Sequence, residues 1–466
     1  MEKESNKRNT FSGSIGFVLA SAGSAVGLGN IWRFPYLAAR NGGGLFLVIY
    51  LILVLTFGST LVITEVSIGR KTRQSPLTAY AELSKKWKPL GLLSCIVPMI
   101  ILPYYCVIGG WVLKYFLAFA SGSGYSTASD GYFSSFISET SSPIAMAVLY
   151  LVLTGFVVLS GVQKGIEKFS KIIMPLLVVL LIVILIFSLN ISYTDEAGNV
   201  RTGMQGLKIL FIPDLANETW GSLLDTVMDA AGQLFYSLSV AMGILIAYGS
   251  YMPDDICIRR SVSQMEIFDT GVAFLAGMMI IPTVYVFMGR EGMEASGPGL
   301  MFVSLPMVFT RMGRFGNVIG CLFFVLVLFA ALTSSVAILE AIVSSFMDRF
   351  GLDRKKATII EMIIAAALEL LVCLGYNVLY FEYTLPNGAT GQILDIMDYL
   401  SNNLLMPVIS IGTCILIGWV LKPTVVIDEV TKNGENYNGR KLYTVMIRFI
   451  APLLLAILLL TAVNIL

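Results

Sequence analysis

The 466 residues are 56% hydrophobic and only 13% charged, with a formal net charge of +1, too little polar surface to dissolve the chain, which places it in a lipid bilayer. That charge balance gives no reason to expect a nucleic-acid partner. The absence of any histidine removes histidine catalysis, histidine metal ligation and histidine proton relays together.

In chain order, Met1 to Thr10 is charged and the apolar run after it lacks a small-residue cleavage site, so no cleaved signal peptide is expected. Apolar windows bounded by polar clusters then predict eleven membrane spans near 14–39, 43–69, 91–120, 142–161, 169–190, 224–251, 265–289, 317–347, 356–378, 391–421 and 443–465. The expected fold class is all-α integral membrane, one transporter domain over 1–466. Spans 1–5 (14–190) form a first repeat, spans 6–10 (224–421) an inverted second repeat, and 443–465 an extra helix. Cys95, Cys106, Cys257, Cys321, Cys373 and Cys414 lie in or beside these runs without metal-type spacing and read as small core residues.

Basic residues set the orientation. Lys3, Lys7 and Arg8, then Arg70 to Lys88, Lys164 to Lys171, Arg259 and Arg260, Arg349 to Lys356 and Lys422 to Lys441 fall on one side of the spans. The opposite loops hold only Arg201, Lys208, Arg290, Arg311 and Arg314. The positive-inside rule puts the N-terminus in the cytoplasm, and an odd span count puts the C-terminus outside. Asn217-Glu218-Thr219 lies in an outside loop as a lone sequon.

Two spans are interrupted. The first carries Gly23-Ser24-Ala25-Val26-Gly27-Leu28-Gly29-Asn30 and the sixth Gln233 to Gly243, and each is the first helix of its half. Backbone freed from a helix at membrane depth needs a cavity or protein around it, and paired interruptions point to a midplane binding site. Small residues that merely let helices pack closely are the alternative for each segment alone.

The run Gly23 to Tyr36, through Trp32-Arg33-Phe34-Pro35, followed by Asn41-Gly42-Gly43-Gly44, resembles the neurotransmitter:sodium symporter family. The resemblance extends over the whole chain, with Glu65, Tyr104-Tyr105, Gln233 to Ser239, Thr333-Ser334-Ser335 and Asp395 to Asp398. It implies a bacterial plasma-membrane symporter of the eleven-span type, with broken helices 1 and 6, that moves an amino acid with sodium by alternating access. The twelfth span of many relatives is missing, which leaves the oligomeric state open.

Sodium is a hard cation suited to oxygen ligands, and the resemblance implies two ions. One site would join the carbonyls of Gly23, Val26 and Ala330 to the hydroxyls of Thr333 and Ser334; the last three share a helical face at i, i+3 and i+4. Hydroxyls bonding back to their own helix are the alternative there. The other site would join the Ala25 carbonyl, Asn30, Ser237 and Asp269. Chloride-dependent relatives have asparagine where this chain has Asp269, with chloride held by positions matching Tyr50, Gln233 and Ser237, so a fixed carboxylate predicts chloride independence. Simple hydration of Asp269 near a span end is the rival reading.

For the substrate, N–H groups of Leu28 and Gly29 at a half-helix start and the Tyr105 hydroxyl suit a carboxylate, while carbonyls near Ala25 and Tyr236 suit an ammonium. Amine-carrying relatives have aspartate where Gly27 stands, so the substrate here is expected to bring its own carboxylate. Ile101, Tyr236, Ser239, Met242 and Ile338, with Ser237 and Ser334 at the ion sites, would form a pocket for a hydrophobic or aromatic L-amino acid. Arg33 with Asp398 match an outer gate under which Tyr105 and Tyr236 form a lid. Arg8 with Asp348, supported by Tyr251, match an inner gate, and Glu65 would accept orphan N–H groups of the unwound segments. An intramembrane enzyme lacks a catalytic set in this sequence. A proton-coupled transporter using Asp269 or Glu65 and a non-transporting amino-acid sensor remain as alternatives.

Overall fold

The structure is a computed structural model that describes residues 10–194, 198–213, 219–294 and 297–465. Amides in hydrocarbon must be satisfied within their own segment, and the apolar runs accordingly fold as long helices. In chain order these are α1 (Ser14–Ala25), α2 (Gly29–Arg40), α3 (Gly44–Thr72), α4 (Lys85–Ala120), α5 (Ser141–Leu159), α6 (Val162–Asn190), α7 (Trp220–Ser237), α8 (Ile244–Ser250), α9 (Ile258–Met288), α10 (Gly316–Phe350), α11 (Arg354–Leu374), α12 (Ile393–Val420), α13 (Thr424–Val430) and α14 (Arg440–Ala462). Among the described residues nine helices are long and apolar enough to cross a membrane, and α1 with α2 adds a tenth candidate bent by 55°. The sixth expected span is instead the separate helices α7 and α8, parted by residues 238–243.

The chain is not purely α. Two small antiparallel hairpins, Ser192–Thr194 with Val200–Thr202 and Tyr383–Thr384 with Thr390–Gly391, lie in connections beyond the helix ends, where a hairpin satisfies backbone groups that no helix can.

Burial ranks the helices. The apolar window of α10 is 83% buried against 28% for α14, so α10 is the central post and α14 the periphery. α3 meets α8 backbone to backbone, because both carry glycine at the contact. A Cβ on Gly69 would stand 2.0 Å from Ile246 O, and one on Gly249 2.4 Å from Val66 O; small residues permit that approach in membrane bundles. At the end rich in basic residues, the buried Arg70 guanidinium donates to Glu429 Oε1 at 2.7 Å and to Ile256 O at 2.6 Å. It thereby ties α3, α13 and the segment after α8 together.

The second break is the more strained. Ser239, Ala241 and Gly243 all have positive φ, at 55°, 64° and 72°, a conformation costing roughly 1–3 kcal/mol for each non-glycine residue and persisting only where the surroundings enforce it. Glu65 on α3 is one enforcer: its Oε1 accepts the Ala241 N–H at 2.8 Å.

Candidate functional site

Both breaks face one cavity of about 490 Å³. Its wall at the first break is Ala25, Gly27, Leu28, Gly29 and Asn30, and at the second Tyr236, Ser237, Ser239 and Met242. α4 adds Ile101 and Tyr105, and α10 adds Ser334 and Ile338. Every residue expected to touch substrate therefore lies on a single cavity. Gly29 begins α2 with Leu28 as the residue before it, at a helix start, where the first N–H groups have no partner within their own helix. The buried Tyr105 hydroxyl is approached by the Leu28 N–H and the Ser334 hydroxyl but closes no hydrogen bond among the described residues, and a Cβ on Gly27 would stand 3.3 Å from it. A buried orphan hydroxyl beside loose backbone donors is a receptor for an acceptor group brought from outside.

One oxygen cluster sits where α1 meets α10. The Ser334 hydroxyl lies 3.5 Å from Gly23 O, 3.1 Å from Ser24 O, 3.4 Å from Val26 O and 3.2 Å from Ala330 O. One hydroxyl donates to one acceptor at a time, so these carbonyls keep lone pairs aimed at a shared centre. Thr333 Oγ1 donates back to Ala330 O at 3.0 Å and is near Phe329 O at 3.1 Å. For Thr333 the helix-bonding alternative is therefore what is seen, while the Ser334 hydroxyl lies among carbonyls of the first break and of its own helix.

A second cluster joins the two breaks to α9. Asn30 Nδ2 donates to Asp269 Oδ1 at 2.7 Å and approaches Ser237 Oγ at 3.1 Å, and the Ser237 hydroxyl lies 3.0 Å from both Asp269 oxygens. Asp269 is 0% exposed, which overturns the reading of a hydrated carboxylate at a span end: it sits in the twelfth position of α9 with protein on every side. Asn30 Oδ1 accepts the Gly27 N–H at 3.0 Å, which leaves that oxygen a second lone pair. Tyr50 Oη and Gln233 Oε1, the positions tied to chloride in the resemblance, are buried and close no hydrogen bond among the described residues.

The expected outer pair is not closed. Arg33 lies with its guanidinium 4.4 Å from the Tyr236 ring centroid, while Asp398 Oδ1 accepts from Asn402 Nδ2 at 2.6 Å. Both line the cavity, but cation–π stacking and an amide have taken the places of the ion pair. At the other end Arg8 lies outside the described residues. Asp348 Oδ2 accepts the Ser75 N–H at 2.6 Å, and the Tyr251 hydroxyl donates at 2.6 Å to Glu340 Oε1. Glu340, fully buried, is clamped by Arg354 at 2.5 Å and 2.9 Å.

Glu340 and Arg354 were not anticipated, although a carboxylate inside an apolar span is itself a signal. Residues lining the cavity were missed as well, among them Asn403, Asn402 and Ser24. Asn403 accepts the Tyr236 hydroxyl at 3.0 Å, Asn402 bonds Tyr104 and Asp398, and Ser24 exchanges bonds with Ser239 at 3.1 Å. Adjacent asparagines within a span were the legible clue for the first two.

A family model described as the sodium:neurotransmitter symporter family matches residues 8–134 and 132–466. The chain is 34% identical over 459 residues to a sodium-dependent transporter of Bacillus subtilis, YhdH, covering 97% of each. It is 25% identical over 439 residues to the bovine sodium- and chloride-dependent GABA transporter 2, covering 82% of this chain and 70% of that one. The crystal structure of MhsT in complex with L-phenylalanine matches with a TM-score of 0.83 and 35% identity, covering 98% of this chain and 100% of that one. A cavity at two helix breaks, flanked by two oxygen clusters, thus occurs in a chain matched to sodium-coupled carriers along its whole length; the protein is a sodium-dependent symporter, not an enzyme, and belongs to the sodium:neurotransmitter symporter family.

Proposed function

We propose that this symporter takes up a hydrophobic or aromatic L-amino acid with two sodium ions, without chloride, across a bacterial plasma membrane. The observation that carries the reading is the bottom of the cavity, where Gly27 leaves no side-chain carboxylate beside Leu28, Gly29 and the orphan Tyr105 hydroxyl. A substrate there supplies its own carboxylate to the N–H groups that open α2. Its ammonium faces carbonyls at the ends of α1 and α7, and its side chain lies among Ile101, Met242 and Ile338. L-Phenylalanine in MhsT supports this class of ligand.

One ion is assigned to Gly23, Val26, Ala330, Thr333 and Ser334. The other is assigned to Ala25, Asn30, Ser237 and Asp269, whose carboxylate supplies the negative charge that chloride would otherwise bring. Eleven spans follow when α1 with α2 and α7 with α8 each count as one, with an inverted repeat over spans 1–5 and 6–10 and the N-terminus in the cytoplasm. Two sodium ions with a zwitterion gain about 4.6 kcal/mol from a 100 mV potential, enough for an accumulation of more than about a thousandfold.

The test is binding of all twenty amino acids to purified protein with and without sodium, followed by uptake of the best ligand into proteoliposomes in chloride and in gluconate. Sodium-dependent, chloride-blind accumulation of an apolar amino acid is expected. Uptake that ignores sodium but follows a proton gradient would refute ion coupling as stated, and binding without accumulation would mark a sensor.

A further inference from the structure

α12 and α14 meet where both widen into π-helical turns, Leu416–Val420 and Met446–Ile450. Such turns inside α-helices concentrate at functional positions. Gly418 lets the two backbones close: a Cβ there would stand 3.1 Å from Ile447 O and 3.3 Å from Arg448 Cα. Across the contact Arg448 Nε donates to Gly418 O at 2.8 Å, Trp419 Nε1 donates to Arg448 O at 3.2 Å, and the guanidinium lies 5.7 Å from the Trp419 ring centroid.

Two measures fix the depth of this pair. Eight residues separate Arg448 from the Arg440 end of α14, about 12 Å at 1.5 Å per residue, and Trp419 is the penultimate residue of α12 and 55% exposed. Trp419 thus stands at a helix end, the level at which interfacial tryptophans sit, while Arg448 lies about 12 Å inside the end of α14 and reaches toward that level along its side chain. A cation there is costly unless its head reaches the polar layer. Arg448 spends only Nε on protein. Its two Nη amines have no protein acceptor among the described residues and are not enclosed, and this pair of parallel donors matches a phosphate.

We propose that Arg448 and Trp419 form a headgroup site for an anionic phospholipid at this end of α12 and α14. The Nη amines hold the phosphate and the indole lies alongside the glycerol region. Lys422, Arg440 and Lys441, at the adjoining helix ends, add a local positive potential that favours an anionic over a zwitterionic headgroup. Because α12 also carries Asp398, Asn402 and Asn403 on the cavity wall, a lipid seated here steadies a wall of the transport path.

The experiment compares wild type, Arg448→Gln and Arg448→Lys in detergent, titrated with phosphatidylglycerol, phosphatidylcholine or sodium phosphate. Melting temperature and lipid retained in native mass spectrometry are the readouts. Phosphatidylglycerol is expected to raise the wild-type melting temperature and to remain bound where phosphatidylcholine does not. Arg448→Gln should weaken its apparent affinity about tenfold, and Arg448→Lys, which keeps the charge but loses the paired donors, should weaken it by a smaller factor. Equal responses to the two lipids in wild type, or full retention of phosphatidylglycerol by Arg448→Gln, would overturn the site. Stabilisation by sodium phosphate alone would reassign it to free phosphate. Should Arg448→Gln fail to fold, the wild-type lipid comparison and Arg448→Lys still decide.

Discussion

A Cβ at Gly27 would stand 2.9 Å from Ser334 Oγ as well as 3.3 Å from the Tyr105 hydroxyl, so size and charge both act at this position and have to be separated. Gly27→Ala is expected to weaken amino-acid binding about tenfold through crowding alone, in the range of overpacking costs. Gly27→Asp should lose it altogether, because its carboxylate would face that of the substrate. The difference between the two variants in a scintillation-proximity assay measures the charge contribution, and equal losses would remove the argument from charge. Asp269 is the other residue with a single sharp expectation. Asp269→Asn leaves the Asn30 and Ser237 contacts with a neutral partner, so sodium-driven uptake should fall or become responsive to chloride; unchanged, chloride-blind uptake would count against its role as the fixed anion.

At the scale of elements, the broken helices differ in how far they could be read. Glycines announced the first, whereas in the second the unusual conformations fall on Ser239 and Ala241, residues that composition alone would leave in a helix; only its place at the start of the second half singled it out. The inner closure was read in part for a similar reason. Arg354 stands in a basic cluster that reads as an orientation signal, and nothing in the spacing of Glu340 and Arg354 says that one helix end folds over the other. Arg354→Gln would leave Glu340 buried with the Tyr251 hydroxyl alone, and stranding one member of a buried pair costs about 3–5 kcal/mol. The expected result is a lower melting temperature with faster hydrogen exchange after α8. The double variant Glu340→Gln with Arg354→Gln should recover much of the loss. An unaltered melting temperature in Arg354→Gln would show that the pair does not hold this end together.

For the whole molecule, hydropathy placed every long helix to within several residues, since the need to satisfy amides in lipid leaves few alternatives. The side on which the cavity is shut was beyond that reach, because it depends on contacts between segments far apart in the chain. The cavity runs from Ser24 and Ser334 up to the exposed Pro298, past Arg33 and Asp398, which are bonded elsewhere and not to each other, while beneath it Tyr251, Glu340 and Arg354 are bonded and packed. Such a shape divides an electric field unequally. A water-filled mouth conducts and a packed plug insulates, so most of a transmembrane voltage should drop across the lower half of the protein. Sodium arriving from the open mouth would then bind with an affinity nearly indifferent to potential, and the voltage would act on the later step that carries the loaded site through the plug. Current recordings at several holding potentials should therefore show a constant half-saturating sodium concentration and a turnover rate that steepens as the closed side is made negative; the reverse pattern would place the insulating layer at the mouth instead.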